Sequence, residues 1–468
     1  MRSVRDFGAA GDGVADDTAA IQHAVDLSIN EVVFPPGKYR ITRPITIDMA
    51  AAGYTSISGS AGTAKVFMDG PGPAFDFRGS HESSADPGGF KEGVWAQERM
   101  PLIQGLEIEG RHPEADGIHC YQTMQSTFEG ILLRKLRHGI HITKRARNVL
   151  ISHCHIYDNS GIGIFLDHVN LHQAIIASSH ISYNKLSGIK LLNGQIRNIQ
   201  ITGNDIEYNY DRGAGEAAPA SAEIWIETTG DDATVREGTI SSNTIQSRYA
   251  PGGANIRFIS RPEAPLHAGL FAISGNLIGS QETNIDLVSA RGISITGNVI
   301  YSGHQRNLRA TKCRNINATG NTFDHNGDYL PKELATGITF DECTDCILSS
   351  SIIHDAFAGE HTVSTPVVLD RKGLVEVLNS QRISINGCQI LDPGLAGIHV
   401  EASSYVNIQS CTILDAREDQ KMPHAIEWSG PGAWNQIGGC TLGQGTGGPV
   451  NAAAESAVKL GENVLMRP

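Results

Sequence analysis

The stretch that decides the fold is Ile293-Ser-Ile-Thr-Gly-Asn-Val-Ile300. A hydrophobic residue is followed three places later by a small polar residue, and two places after that by another hydrophobic residue. The same phrase recurs across 148–440, with its middle position at Cys154, Ser179, Asn204, Asn243, Asn276, Asn298, Asn321, Ser351, Cys388, Cys411 and Cys440. A second alternating run, such as Gly-Ile-Gly-Ile or Ala-Glu-Ile-Trp-Ile, follows each phrase. Period-2 alternation means short strands with one buried face. A spacing of roughly 20–50 residues means stacked units that bury their apolar faces only against neighbours. The apolar residues are mostly Ile, Val and Leu, which suit strands. Asn recurring at one place suits a tight turn with a left-handed backbone, and stacked Asn side chains can bond along the ladder. The expectation is an all-β chain: a single-stranded, right-handed parallel β-helix.

Composition agrees with a turn-rich β solenoid. Glycine is abundant at 52 residues and charged residues make up only 19%. The 468 residues are read as one domain, with a cap and first strands in 1–45, coils in 46–440 and a closing segment in 441–468. A net charge of −13 argues against general nucleic-acid binding. No apolar run is long enough for a membrane span, and the first residues lack the apolar core of a signal peptide. Of the eight cysteines, four occupy the ladder position and Cys120 an inward strand position. Cys343-x-x-Cys346 lacks a second pair to complete a metal site, so structural thiols are expected.

The opening reads Val4-Arg-Asp-Phe-Gly-Ala-Ala-Gly-Asp-Gly-Val-Ala-Asp-Asp-Thr-Ala-Ala-Ile-Gln, followed by Phe34-Pro-Pro-Gly-Lys-Tyr39. Asp16-Asp17-Thr18 supplies N-cap chemistry for a short helix whose apolar face is Ile21, Ala24 and Val25. With no lysine after a Walker-type loop, the glycines do not make a phosphate site. The helix caps the open end of the solenoid. With the repeats, this opening resembles the pectate-lyase-like superfamily. That resemblance implies the right-handed β-helix and action on polysaccharide, across hydrolases, uronate lyases, epimerases, transferases and phage tailspikes. It identifies a scaffold and not a reaction. The chain lacks the Asn-Thr-Asp, Gly-His-Gly and Arg-Ile-Lys phrases of polygalacturonases, and the Asp-Pro-His of alginate epimerases; Asp167-His168 only echoes the last.

Aligning the second strand of each coil on its inward residues (Ile118, Ile140, Ile162, Ile189, Ile224, Ile256, Ile285, Leu308, Ile338, Val367, Ile398, Ile426) predicts two outward columns. The first runs through His119, His141, Gly163, Lys190, Trp225, Arg257, Asp286 and Arg309. The second includes Tyr121, Thr143, Phe165, Leu192, Glu227 and Asp370. Lys190, Trp225, Glu227, Arg257, Asp286 and Arg309 then form a mixed patch on consecutive coils, with Glu223 one outward step before Trp225 and Asp167 beside it. Alternating charges on parallel strands also pair simply as surface. An outward Trp beside carboxylates, however, suits the apolar face of a sugar ring. His119 and His141 are adjacent in the column, and packing is the expected role for them.

The first functional expectation is a glycoside hydrolase or transferase acting on a poly- or oligosaccharide. In it Glu227 is the acid and Asp286 the base, Glu223 can replace either, and Lys190, Trp225, Arg257, Arg309 and Asp167 bind substrate. The alternative is a uronate lyase using Lys190, Arg257 and Arg309. Calcium enters only on that alternative, with Glu227 and Asp286 as a sparse cluster; otherwise neither cofactor nor metal is expected. A third expectation is a non-catalytic, tailspike-like binder. A monomer or homotrimer is expected, with neither nucleic acid nor membrane as partner.

Overall fold

The computed structural model describes residues 2–27, 30–83, 86–262, 267–326, 337–355 and 370–466. Val367, used above to align one coil, lies outside them. The chain divides into two compact units, Met1–Thr239 and Ile240–Pro468. Each unit is a parallel β-helix whose coils contribute strands to three ladders.

The repeat phrase is itself two strands and a corner. Arg291–Thr296 and Val299–Tyr301 are strands, and Gly297 and Asn298 turn between them. The left-handed residue is not the ladder residue, as expected above, but the one before it. His153, Ser178, Ser242, Ser350 and Ser410 have φ between 49° and 56°, and Gly203, Gly275, Gly297, Gly320, Gly387 and Gly439 between 63° and 66°. This explains the recurrent Gly-Asn: glycine adopts that φ without strain, and the next side chain is thereby aimed inward. There Asn298 accepts from the Asn276 backbone N–H and side chain at 3.0 and 2.9 Å, and donates to Ile273 O and Asn321 Oδ1 at 3.0 Å each. Each Asn thus satisfies the buried corner of its neighbour.

A second ladder was not legible in the repeat phrase. Asn159, Asn184 and Asn209 are buried and linked at 2.7 Å in the first unit, and Asn255, Asn284 and Asn307 at 2.8 and 2.6 Å in the second. All eight cysteines are buried and unpaired, as expected for structural thiols. Cys343 and Cys346 are buried inside a coil, and the Cys343 thiol donates to Ala310 O at 3.2 Å.

The N-terminal helix forms with the face read from the sequence. Helix Thr18–Leu27 buries Thr18, Ile21, Ala24 and Val25, and Asp16 accepts from the Thr18 N–H at 3.0 Å. The opening motif is a self-bonded knot. Asp17 accepts from the Ala10 and Gly11 N–H groups at 2.6 and 3.1 Å, Tyr39 donates to Pro35 O at 2.8 Å, and Arg5 donates to Pro36 O at 2.8 Å. At Gly11 (φ +63°) a Cβ would stand 2.9 Å from the Tyr39 ring, so the glycine is required. Among the described residues no helix is long and apolar enough to cross a membrane.

Replacing Asn298 by Ala leaves Ile273 O and the Asn276 amide without partners in the interior. It is expected to cost about 1–3 kcal/mol and to lower the urea midpoint of unfolding. Ser294→Ala, on the outward face of the same strand, is expected within about 0.5 kcal/mol of the parent. Equal midpoints for the two variants would refute the ladder's stabilising role.

Candidate functional site

The outward face of the first unit is built on strands Gly72–Arg78, Ala115–Met124, Ile140–Ser152, Ile162–Ala177, Ser187–Leu192 and Ala222–Thr228. Their inward anchors Ile118, Ile140, Ile164, Ile189 and Ile224 are fully buried. The sequence alignment errs at one coil here. Ile140 pairs with Ile164, not Ile162, so the outward residues are Phe165 and Asp167 rather than Gly163 and Phe165. The Gly-Ile-Gly-Ile run fits period 2 in either placement. In the observed register His141, Phe165, Lys190 and Trp225 form one column, and Thr143, Asp167, Leu192 and Glu227 the next. Asp167, expected beside the patch, is therefore in the Glu227 column, two coils away, or roughly 10 Å between backbones.

Within this groove Lys190 holds Glu227 at 3.0 Å and lies over the Trp225 ring at 3.8 Å. Both side chains of the pair are about four-fifths covered. His141 stacks on Phe165 with ring centroids 4.9 Å apart, and its Nε2–H donates to Asp167 Oδ2 at 3.1 Å. His168 Nδ1 lies 2.6 Å from the other Asp167 oxygen. Burial pushes the Asp167 carboxyl up, but hydrogen bonds from His141 and His168 outweigh it and hold it below the usual carboxylate range. The Nε2 proton leaves the lone pair of His141 on Nδ1, and among the described residues nothing is hydrogen-bonded to that atom.

The neighbouring imidazoles are already committed. His119 donates from Nδ1 to Asp76 at 2.8 Å, and its Nε2 accepts from Thr143 Oγ1 at 2.9 Å. His138 Nδ1 accepts from the Ile162 N–H at 3.1 Å, and burial, with His141 and Arg137 nearby, pushes this ring from 6.5 to about 4. Glu223 is not an outward groove residue. It is buried, accepting from the Asn209 amide at 2.9 Å and from the Asn209 side chain, and it ends the second Asn ladder. A carboxylate near an outward Trp read as surface, and the captured Asn209 corner was invisible to strand alternation.

Two clefts flank these columns. One, of about 390 Å³, includes Lys144, Arg145, His168, Asn193 and Asp231 in its lining; neither Lys144 nor Arg145 has an ion pair among the described residues. The other, of about 490 Å³, is lined by Phe90, Glu92, Trp95, Gln125, Arg147 and Asn148. There Phe90 and Trp95 stack at 6.2 Å and Arg147 lies 5.0 Å over Phe90. Residues 80–97 read only as a polar surface loop, so this aromatic pair was missed; its signal was two large apolar side chains in an otherwise polar run.

In the second unit Asp286 is 3% exposed and clamped. Arg257 donates to Oδ2 at 3.1 Å, and Arg309 to Oδ1 and Oδ2 at 3.0 and 3.1 Å. A carboxylate so occupied orients its arginines and has little lone-pair density for substrate. Glu282, just before that strand, was overlooked. Burial holds its carboxyl above the usual range, although Gly252 N–H donates to it at 2.9 Å and Arg309 and Arg257 oppose the shift. The 249–253 connection is fastened here, with Arg257 donating to Gly252 O at 2.8 Å. Further along, Ile338–Asp341 pairs with Gly373–Leu378, so Val375 and not Val367 is the anchor beside Ile338, Glu376 follows Thr339 in the first column, and Leu378, not Asp370, follows Asp341 in the second. Glu376 accepts from Thr339 at 2.9 Å and Arg306 at 3.3 Å.

Comparison with known proteins places this geometry in a family. A probable glucan endo-1,3-beta-glucosidase of Arthroderma benhamiae is 37% identical over 119 residues, 23% of this chain and 13% of that protein. Mannuronan C5-epimerase AlgE5 of Azotobacter vinelandii is 52% identical over 44 residues, 8% of this chain and 4% of that protein. The chain thus spans only a small part of the length of these curated relatives. Among solved structures, the A-module of mannuronan C-5 epimerase AlgE4 from Azotobacter vinelandii matches 99% of this chain and 97% of its own, at 15% identity and a TM-score of 0.38. The model of the family described as rhamnogalacturonase A/epimerase, pectate lyase-like, matches residues 1–347, and the chain belongs to that family.

Proposed function

We propose that this chain is a carbohydrate-active enzyme that removes the proton α to the carboxylate of a uronate residue in an acidic polysaccharide. The observation that carries this reading is the state of His141: Asp167 takes its Nε2–H and leaves the Nδ1 lone pair uncommitted. An imidazole held in this way, with its second nitrogen unoccupied, is placed to act as a general base. Lys190, two coils along the same column, supplies the positive charge that an enolate developing on the uronate carboxylate requires. Lys144 and Arg145 line the adjoining cleft together with the carboxylates of Asp231 and Asp232, and Trp225 and the Phe90–Trp95 pair offer faces to sugar rings. Breaking the bond to the β oxygen makes the reaction an elimination; returning the proton to the opposite face makes it an epimerisation.

Hydrolysis is the second reading, and one observation favours it: Asp167 and Glu227 share a column at a spacing from which their carboxyl groups can lean to about 6.5–9.5 Å, the inverting range. Against it, Glu227 is already engaged by Lys190 at 3.0 Å, whereas the acid role needs its carboxyl free to meet the leaving oxygen. Asp286 is set aside as the base because two guanidiniums hold its oxygens, and Glu223 because it is buried on Asn209.

A panel of uronate polysaccharides tests this, read in parallel for unsaturated-uronate absorbance, deuterium uptake from D₂O and new reducing ends. Absorbance or deuterium uptake is expected, with His141→Asn lowering the rate about 10²-fold or more and Lys190→Met by a similar factor. Reducing ends without double bonds or deuterium, abolished by Asp167→Asn and by Glu227→Gln, would transfer the function to hydrolysis.

The other imidazoles give a separate check. His138 and His81 are both pushed down to about 4, chiefly by burial. In the unfolded chain they titrate at about 6.5, so between those values the unfolded state binds more protons and stability falls as pH drops from about 6.5 to 4. Imidazole NMR is expected to find both rings neutral at pH 5. Midpoints near 6.5 would remove them as sources of this loss.

A further inference from the structure

The short-strand ladder of the second unit carries a histidine–carboxylate cluster that the groove chemistry does not use. Strands Thr322–Asp324, Ile352–His354 and Gln389–Leu391 are neighbours, and their outward ends bring together Asp324, His325, His354 and Asp392. Ligand atoms of Asp324, His325 and His354 all lie within 4.8 Å of one another. Asp324 Oδ1 is 3.1 Å from His325 Nδ1 and 3.5 Å from His354 Nδ1. Ligands at about 2.0–2.1 Å on a tetrahedral Zn²⁺ stand roughly 3.3 Å from each other, so two edges of the site are already at coordination spacing.

We infer that this cluster is a binding site for a divalent transition-metal ion of the zinc class, with Asp324 Oδ1, His325 Nδ1 and His354 Nδ1 as ligands and the fourth position open. The ligand chemistry fits: two imidazoles and one carboxylate suit zinc better than the hard, all-oxygen cations. The surroundings fit as well. His354 Nε2 lies 3.3 Å from Asp392 Oδ2, and Asp392 is fixed by the Ala416 N–H on its other oxygen at 2.8 Å. A carboxylate on the far nitrogen of a metal-binding imidazole places the proton there and turns the lone pair to the metal. Asp392 is thus a positioning residue. The competing arrangement is an imidazolium, with His354 donating from both nitrogens to Asp324 and Asp392.

Bridging neighbouring strands, the ion adds a tie between coils that already share a buried core of Phe323, Ile353 and Ile390. The site is independent of the proposed groove reaction. The test is calorimetric titration of the chelator-stripped full chain with Zn²⁺, repeated in two buffers of different ionisation enthalpy, with Co²⁺ as a spectroscopic substitute. One Zn²⁺ per chain is expected at micromolar affinity or tighter, with intense visible Co²⁺ bands and a higher thermal midpoint. His354→Ala and His325→Ala are expected to weaken binding at least tenfold, and Asp392→Asn about 10–100-fold. His155→Ala/His180→Ala, which removes a stacked surface pair in the first unit, is expected to leave binding unchanged. Circular dichroism of each variant separates lost binding from lost fold. No saturable binding, or binding undiminished in folded His354→Ala, or equal weakening by the His155/His180 double variant, would overturn the site.

Discussion

Everything in this molecule follows from stacking strands in parallel at one fixed spacing. A coil has no core of its own; its Ile, Val and Leu side chains are buried only because the next coil covers them. That demands identical registers from coil to coil, and the corner enforces them. One residue takes the left-handed conformation, the next side chain turns inward, and its amide bonds the corner above and the corner below. An inward Asn here is an obligation met by repetition, since each unpartnered buried amide would cost about 1–3 kcal/mol. Serine and cysteine replace Asn at some levels, where a backbone carbonyl receives the hydroxyl or thiol hydrogen.

The same spacing writes the chemistry of the outward face. Side chains one coil apart stand about 4.8 Å from each other, so opposite charges pair along columns and aromatic rings stack along them. In the second unit this runs to completion: Arg257 and Arg309 close on Asp286, Arg306 and Thr339 on Glu376, and His399 sits between Glu401 and Glu427 at 3.2 Å from each. The first unit stops short. Lys190 and Glu227 pair, yet His141 keeps an uncommitted nitrogen, and Lys144 and Arg145 share a cleft with Asp231 and Asp232 without closing an ion pair among the described residues. Unsatisfied groups on a rigid ladder are where a ligand finds partners.

The fold was legible because its signals repeat. Ile, Val or Leu at one phase and Gly-Asn at another recur in many coils, so a local error does not propagate. The groove was less legible because it depends on single coils. Gly-Ile-Gly-Ile satisfies alternation whether Ile162 or Ile164 is the anchor, and a two-residue slip keeps the face while displacing every outward residue by one position. That slip hid Asp167 from the Glu227 column. Glu223 shows the limit of alternation from the other side: its carboxylate goes where an Asn ladder ends and not where the strand's solvent face points. The 80–97 loop has no period at all, so its Phe90–Trp95 pair was unreadable from pattern.

Protonation was the least visible property, although it carries the functional reading. Four histidines of the first unit, His81, His119, His138 and His141, have the same side chain. Their roles separate only through which nitrogen each surrounding group occupies. Burial keeps His81 and His138 neutral. Asp76 and Thr143 consume both nitrogens of His119. Asp167 takes one nitrogen of His141 and, itself held by His168, leaves the other. A solenoid can place the same residue type on successive rungs at no cost to its core. What leaves one of them with an unoccupied nitrogen is the one-rung offset of a carboxylate, and that offset is set by the register of a single strand.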